Sequence, residues 1–301
     1  MLAIARYTLK GPFHAATMVG VLALLSLVIP LVSILSGALV ALIILSQGLG
    51  PGLRIIAVAV AGVTVLTYAL IGSALFGITF GVVQWLPLVI MAEILRRSQS
   101  LSLALVAGMA LAMLVVVLQY LLWPDAEMMW VQMFGGMFGD VEQTQGVDTE
   151  QVRSIVANMA HWMELLMVAV MFSVFVSTLL AGRWFEHRLF ERGSLRDEFY
   201  AVRLGKTAAM VGVGASLASM VLALDMLSAL ALVALAAFMY QGLAIVHKWA
   251  RHYGKSGWLA LLYIMMAIFP HVLVMVAALG VIDNWTDIRA KLKSVPAKTD
   301  E

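Results

Sequence analysis

Residues 101–123, LSLALVAGMALAMLVVVLQYLLW, contain no Asp, Glu, Lys, Arg or His. As a helix this stretch advances about 35 Å, more than a hydrocarbon core of roughly 30 Å requires. It is one of several. Comparable apolar runs occupy residues 14–47, 55–95, 157–181, 207–246 and 258–282. With 63% hydrophobic residues, 12% charged residues and a mean hydropathy of +0.99, the chain has too little polar surface to cover a water-soluble globule. The expected solvent is lipid.

Prolines, glycines and isolated charges divide the runs. Pro30 interrupts residues 14–47 and predicts two short helices meeting there. Residues 55–95 are too long for one crossing, and Gly72, Gly77, Gly81 and Pro87 predict a break near the middle. Asp225 divides 207–246, and Pro270 sits at the centre of 258–282. The expected fold is an all-α polytopic integral membrane protein, one membrane domain over residues 1–301. It has eight to nine transmembrane helices, some Pro-broken. Arg6 and Lys10 precede the first apolar run as in a signal peptide, but no small-x-small cleavage pattern follows, so that run is kept as a membrane helix.

Arginine and lysine set the orientation. Arg6, Lys10, Arg54, Arg96, Arg97, the six bases from Arg183 to Lys206, and Lys248, Arg251 and Lys255 fall on one side if the runs alternate. That side is expected to be cytoplasmic, which puts the chain in a bacterial inner membrane. Residues 124–157 carry Asp125, Glu127, Asp140, Glu142, Asp148 and Glu150 against Arg153 alone and should form an extracytoplasmic loop. Nine crossings would leave the charged tail, residues 284–301, outside despite Arg289, Lys291, Lys293 and Lys298. One Pro-broken run must therefore enter and leave by the same face. In the loop, Met129, Met133 and Met137 beside Trp130, Phe134 and Phe138 recur at helical spacing, as in an interfacial helix or a substrate lid. Asp148 with Gln151 resembles a capping-box start. Residues 183–206 alternate bulky apolar side chains with both signs of charge and predict an amphipathic elbow broken near Gly193.

Chemical motifs are sparse. A net charge of +2, segregated along the chain, gives no support for nucleic-acid binding. With no cysteine there are no disulfides, thiolate metal sites or thiol nucleophiles. Gly205-Lys206-Thr207 resembles the end of a phosphate loop, but Tyr200 stands where the first glycine belongs. His161 and Glu164 have ligand spacing on a helix, yet one pair supplies too few ligands for a metal, and an ordinary polar pair is the simpler reading. No cofactor and no enzymatic activity are expected.

Polar residues at membrane depth remain. Gln84, Gln119, Gln241 and His271 lie inside apolar runs and are candidate ligand-binding residues, with hydrogen bonding between helices as the alternative. Glu93 is placed to pair with Arg97 one turn on. Gly77-x-x-x-Gly81 and Gly212-x-x-x-Ser216 suit close helix packing.

At the carboxy end, residues 240–289 carry Gln241-Gly242 and then Gly280, Asp283, Trp285, Asp287 and Arg289 in a Gly-x-x-Asp-x-Trp-x-Asp-x-Arg pattern. This resembles the close of the YybS-like family of predicted bacterial membrane proteins of unknown function. The resemblance implies a distant kinship in fold with the substrate-binding subunits of energy-coupling-factor transporters and with the rod-shape protein MreD. Two roles follow: binding or transport of a small molecule among the helices, or a scaffold for envelope-assembly or cytoplasmic protein partners. The first is preferred, with the lipid bilayer as partner in both.

If the last helix continues through Lys291, Asp283 and Asp287 share one stripe, and Trp285 with Arg289 lies on the far side. The arginine then cannot neutralise the aspartates within its own helix. The motif is expected to be a structural lock that docks the aspartates on elbow arginines, Arg196 or Arg203, with a membrane-surface anchor as the alternative.

A cysteine placed at Thr144 is free of native background. We expect an impermeant maleimide to label it in intact cells; labelling only after lysis would invert the topology.

Overall fold

The computed structural model describes residues 1–145 and 149–293, the side chains of 138–145, 149 and 291–293 excepted. Expectations for Asp148 and Lys298, and for the side chains of Phe138, Asp140, Glu142, Thr144, Lys291 and Lys293, lie outside the described residues. All regular elements among the described residues are helical.

A short α1 (Leu2–Thr8) precedes the hairpin of α2 (Pro12–Leu25) and α3 (Val32–Gln47). α4 (Leu49–Ile71) follows, then a continuous span built from α5 (Leu75–Thr79), a π turn (Phe80–Trp85) and α6 (Leu86–Ser98). α7 (Leu101–Leu122) leads to α8 (Ala126–Gln145) and the long α9 (Thr149–Phe190). After α10 (Leu195–Tyr200) come α11 (Lys206–Leu222), α12 (Asp225–His252), α13 (Gly257–Ile268), α14 (Pro270–Thr286) and α15 (Ile288–Lys293). The breaks expected within 55–95 and at Asp225 occur at Gly72, whose φ of 71° terminates α4, and at the Ala223–Leu224 turn.

The centre is α3, apolar all round and buried continuously from Ser36 to Leu45. It reaches α9 through small residues. A Cβ on Gly37 would stand 2.6 Å from Thr178 Cγ2, and one on Gly182 2.6 Å from Ala41 Cβ. In lipid such close approach supplies the dispersion contact that holds helices together. Ser36, buried in this seam, donates to the Val19 carbonyl at 3.0 Å. Gly77 and Gly81 likewise seat α5 and the π turn on Thr64 and Val60 of α4. The π turn has a local cause. Pro87 follows it, with no N–H to donate and a ring that crowds the carbonyl four residues earlier, and a widened turn relieves both.

The eight to nine crossings expected are not confirmed by helix length alone. Among the described residues five helices are long and apolar enough to cross, or six if α13 and α14 form one span. α2, α3 and α11 are apolar but have 14, 16 and 17 residues. Counting these three shorter apolar helices as crossings gives eight or nine. The α13–α14 pair bends by 119°. Phe269 takes extended angles, as a residue before proline is pushed to do. The chain thus turns back at Pro270, and residues 283–289 return to the face that carries the elbow.

α8 folds against the first half of α9. Phe134 is buried with Val156 and Ala160, and Trp130 stacks on it with ring centroids 6.1 Å apart. Met129, Met133 and Met137 remain exposed. The helix is therefore half of a helical pair.

The tightest crossing joins α12 to α14. A Cβ at Gly242 would collide with the Val276 carbonyl oxygen, and one at Gly280 with that of Phe238. Backbone cannot yield as a side chain can, so we expect Gly242→Ala or Gly280→Ala to destabilise by about 1–3 kcal/mol. Gly62→Ala, where a Cβ meets nothing within 4 Å, should be neutral or slightly stabilising. Thermal melting of the detergent-solubilised protein, followed by its tryptophan fluorescence, would check this. Equal melting of all three variants would refute the close crossing.

Candidate functional site

Residues 201–205, between α10 and α11, belong to no helix, so their backbone groups need partners from elsewhere. Four elements supply them. Ser102 of α7 accepts from the Arg203 N–H at 2.9 Å, Gln241 of α12 from Leu204 at 2.8 Å, and Asn284 of α14 from Gly205 at 3.1 Å. From α15, Arg289 donates to the carbonyls of Tyr200 and Val202 at 2.7 and 2.6 Å. The segment is a strap tied down by side chains.

Asp283 organises the ties. It is 1% exposed, accepts from Gln241 Nε2 at 3.3 Å, and lies 3.2 Å from Arg289 Nε and 3.9 Å from Arg203 Nε. Arg203 also pairs with Asp287. Two aspartates and two arginines thus balance. Burial pulls the Arg289 guanidinium below the ordinary arginine value while Asp283 opposes it; an arginine starts high enough to stay charged.

One part of the lock differs from expectation. α14 does not continue to Lys291: it ends at Thr286, and Asp287 adopts a left-handed φ of 43°. The break swings Arg289 back under the strap and onto Asp283, the pairing that a continuous helix forbids. Trp285 stays half exposed on α14. Of the two elbow arginines named above, Arg203 meets the aspartates, and Arg196 lines a separate cavity.

Beside the strap, Arg183 of α9 is 5% exposed and fully engaged. It donates to Glu198 at 3.0 and 2.6 Å, to Glu186 at 2.6 Å and to Gln99 at 3.0 Å. Burial pushes the Glu198 carboxyl up, but the Arg183 hydrogen bonds outweigh it and hold the group below the usual carboxylate range. His187 adjoins this cluster. It is 8% exposed, its Nε2 is 3.2 Å from Glu198 Oε1 without hydrogen-bond alignment, and neither ring nitrogen has a hydrogen-bond partner among the described residues.

His187 opens onto a groove. Three cavities with shared walls lie between α9, α12 and the α13–α14 hairpin. The mouth, about 890 Å³, is lined by His187, Arg188, Glu191, Arg196, His247 and Tyr263 among others. It shares Leu180, Phe199 and Tyr263 with a middle cavity of about 510 Å³. That one shares Ser177, Met239 and Leu273 with an apolar end of about 320 Å³, which reaches Leu166 and Leu232. The hydroxyls on the way are spoken for: Tyr240 donates to the Ser173 carbonyl and Ser177 donates to Tyr240, both at 2.8 Å. At the mouth His247 Nδ1 donates to the Leu243 carbonyl at 2.8 Å, which leaves Nε2 to accept from Tyr263 at 3.2 Å. This bond ties the hairpin to α12.

The sequence-predicted ligand residues do not converge. Gln241 is fully buried in the strap ties. Gln84 is half-buried in the π turn, its Nε2 without a partner among the described residues. Gln119 is half-buried on α7, and His271 is exposed at the hairpin bend. None of the four lines the groove, and α8 contributes no wall to it either, so neither the glutamines nor a methionine-rich lid is placed to meet a ligand there. Glu93 binds Arg97 at 2.5 Å as expected and also Arg96 through two bonds of 2.8 Å. Among the described residues no group of three or more His, Asp or Glu is placed to hold a metal ion. His187, His247 and Tyr263 escape sequence reasoning because no spacing links them; the only trace was a histidine in a charged elbow.

Residues 126–284 match the family described as Predicted membrane protein (DUF2232). The match covers more than half of the chain, and the chain belongs to that family. No curated protein and no solved structure matches it.

Removing the buried carboxylate should cost far more than removing the exposed one. Asp283→Ala strands Arg289 in the interior and should destabilise by about 3–5 kcal/mol. Asp287→Ala breaks an exposed pair and should cost under about 1 kcal/mol. Melting of the two variants checks the order, and equal losses would refute the lock. Acid adds a second readout. Because the folded-state value of Glu198 is depressed, its contribution is fully present above the ordinary glutamate value of about 4.3 and is lost as pH falls through the lower folded value. Glu198→Gln should flatten that acid limb of the melting profile.

Proposed function

Taking membership of this membrane-protein family as premise, we propose that the protein binds a membrane-borne amphiphile in the groove between α9, α12 and the α13–α14 hairpin. The polar head sits among His187, Arg188, Arg196 and Tyr263, and the chain lies along Ser177, Met239 and Leu232. One observation carries this reading: three cavities that share lining residues succeed one another from a charged mouth to an apolar end. Leu166 to Leu180 along α9 and Leu232 to His247 along α12 each advance about 21–22 Å, longer than a half-bilayer of roughly 15 Å. A ligand of matching shape is therefore apolar over most of its length.

The reading narrows the transport-type role suggested by the S-component resemblance to its binding step. On the positive-residue orientation, the mouth opens to the cytoplasmic leaflet of a bacterial inner membrane. A scaffold that holds protein partners without a small ligand is the competing role, and on that role the groove is an ordinary seam filled by bulk lipid.

Native mass spectrometry of the detergent-solubilised protein separates the two. A bound amphiphile should survive purification, and Ala236→Trp or Val170→Trp at the apolar end should lower its retention at least about tenfold, or 1.4 kcal/mol. Melting should change little. Retention that is absent, or equal in wild type and both variants, would leave the scaffold role standing.

A further inference from the structure

We propose that the groove mouth is a phosphate-headgroup site, with His187 as its buried donor and Arg188 and Arg196 as its exposed cations. This rests on the amphiphile reading and specifies which head the mouth accepts.

The first observation is an unmet polar group. His187 is 8% exposed, yet both ring nitrogens lack a hydrogen-bond partner among the described residues. A buried imidazole in that condition forgoes the bonds it would make in water, a cost of about 1–3 kcal/mol that a ligand acceptor can recover. Its position allows this. Nε2 stands beside Glu198, while the Nδ1 edge faces the turn at Gly193, where even an added Cβ would remain 3.7 Å from Nδ1. Gly193 has a φ of 67°, so the turn suits glycine, and it lines the mouth together with His187.

The second observation is charge. Of the charged residues nearby, Arg183 is consumed by Glu186 and Glu198. Arg188 lies over the Trp184 ring at 5.9 Å, and neither it nor Arg196 forms an ion pair among the described residues. Glu191 is the single carboxylate among the described residues that line the mouth, set against Arg188 and Arg196, while Glu186 and Glu198 share Arg183 behind it. Guanidinium groups match phosphate oxygens in geometry and charge. A carboxylate head would use fewer of these donors, and an ammonium head would face two arginines.

The experiment compares phosphatidylglycerol with diacylglycerol of the same chains, each added to delipidated protein in detergent and quantified by native mass spectrometry. Wild type should retain the phosphate-headed lipid at least about tenfold better, the scale of one charge-assisted contact. His187→Ala, and separately the exposed pair Arg188→Gln with Arg196→Gln, should remove that preference and leave diacylglycerol retention unchanged. The arginine pair guards against a folding defect in the histidine variant. Equal retention of both lipids by wild type, with Ala236→Trp lowering both, overturns the headgroup site and leaves the groove. Retention of neither overturns both. Inorganic phosphate alone should not raise the melting temperature; stabilisation by it, lost in the arginine variant, would overturn the lipid source in favour of a free anion.

Discussion

A carboxylate with 1% of its surface exposed cannot stand alone in a low-dielectric interior, and Asp283 brings the carboxy-terminal half of the molecule together to meet that demand. Its charge draws Arg289 across the break after α14, and its oxygen takes the second hydrogen bond of Gln241. Both partners also bond the strap, whose backbone groups would otherwise be unsatisfied. The hairpin, α12 and the α10–α11 connection are thus one hydrogen-bonded unit. The pair itself adds little net stability, since desolvating both ions offsets their attraction; its effect is to fix where the chain returns.

Glycines make this geometry possible. Gly242 and Gly280 allow backbone-to-backbone contact between α12 and α14, which sets Asp283 opposite Gln241. The hairpin, turned back at Pro270, does not fill the space beside α9. Tyr263 bonds to His247 at one edge and Leu273 closes the other, and the groove is the gap left between them. A cavity is thus a by-product of the same crossing that holds the lock.

Much of the architecture was legible in the residues. The breaks at Gly72, Asp225 and Pro270 follow from local chemistry that no tertiary contact overrides: a left-handed cap, a helix start, and the extended residue before a proline. The pairing of tail aspartates with an elbow arginine was legible as well, because unpaired acids on one stripe and surplus bases on one face must find each other. What misled was continuity. Treating residues 283–291 as one helix put Arg289 on the wrong side.

By itself the sequence determined the solvent, the helical class, the breaks at Gly72, Asp225 and Pro270, and the segregation of charge, since each depends on composition or on neighbours within one turn. Tertiary structure alone decided which polar groups were already satisfied. Gln241, conspicuous in an apolar run, is fully occupied, whereas His187, unremarkable among charged neighbours, is buried without a partner. Hydrogen-bond satisfaction depends on atoms 37 to 101 positions away along the chain, as in Leu204 with Gln241 and Arg203 with Ser102. No local pattern encodes separations of that length, so the groove and its buried histidine emerge only when the helices are packed.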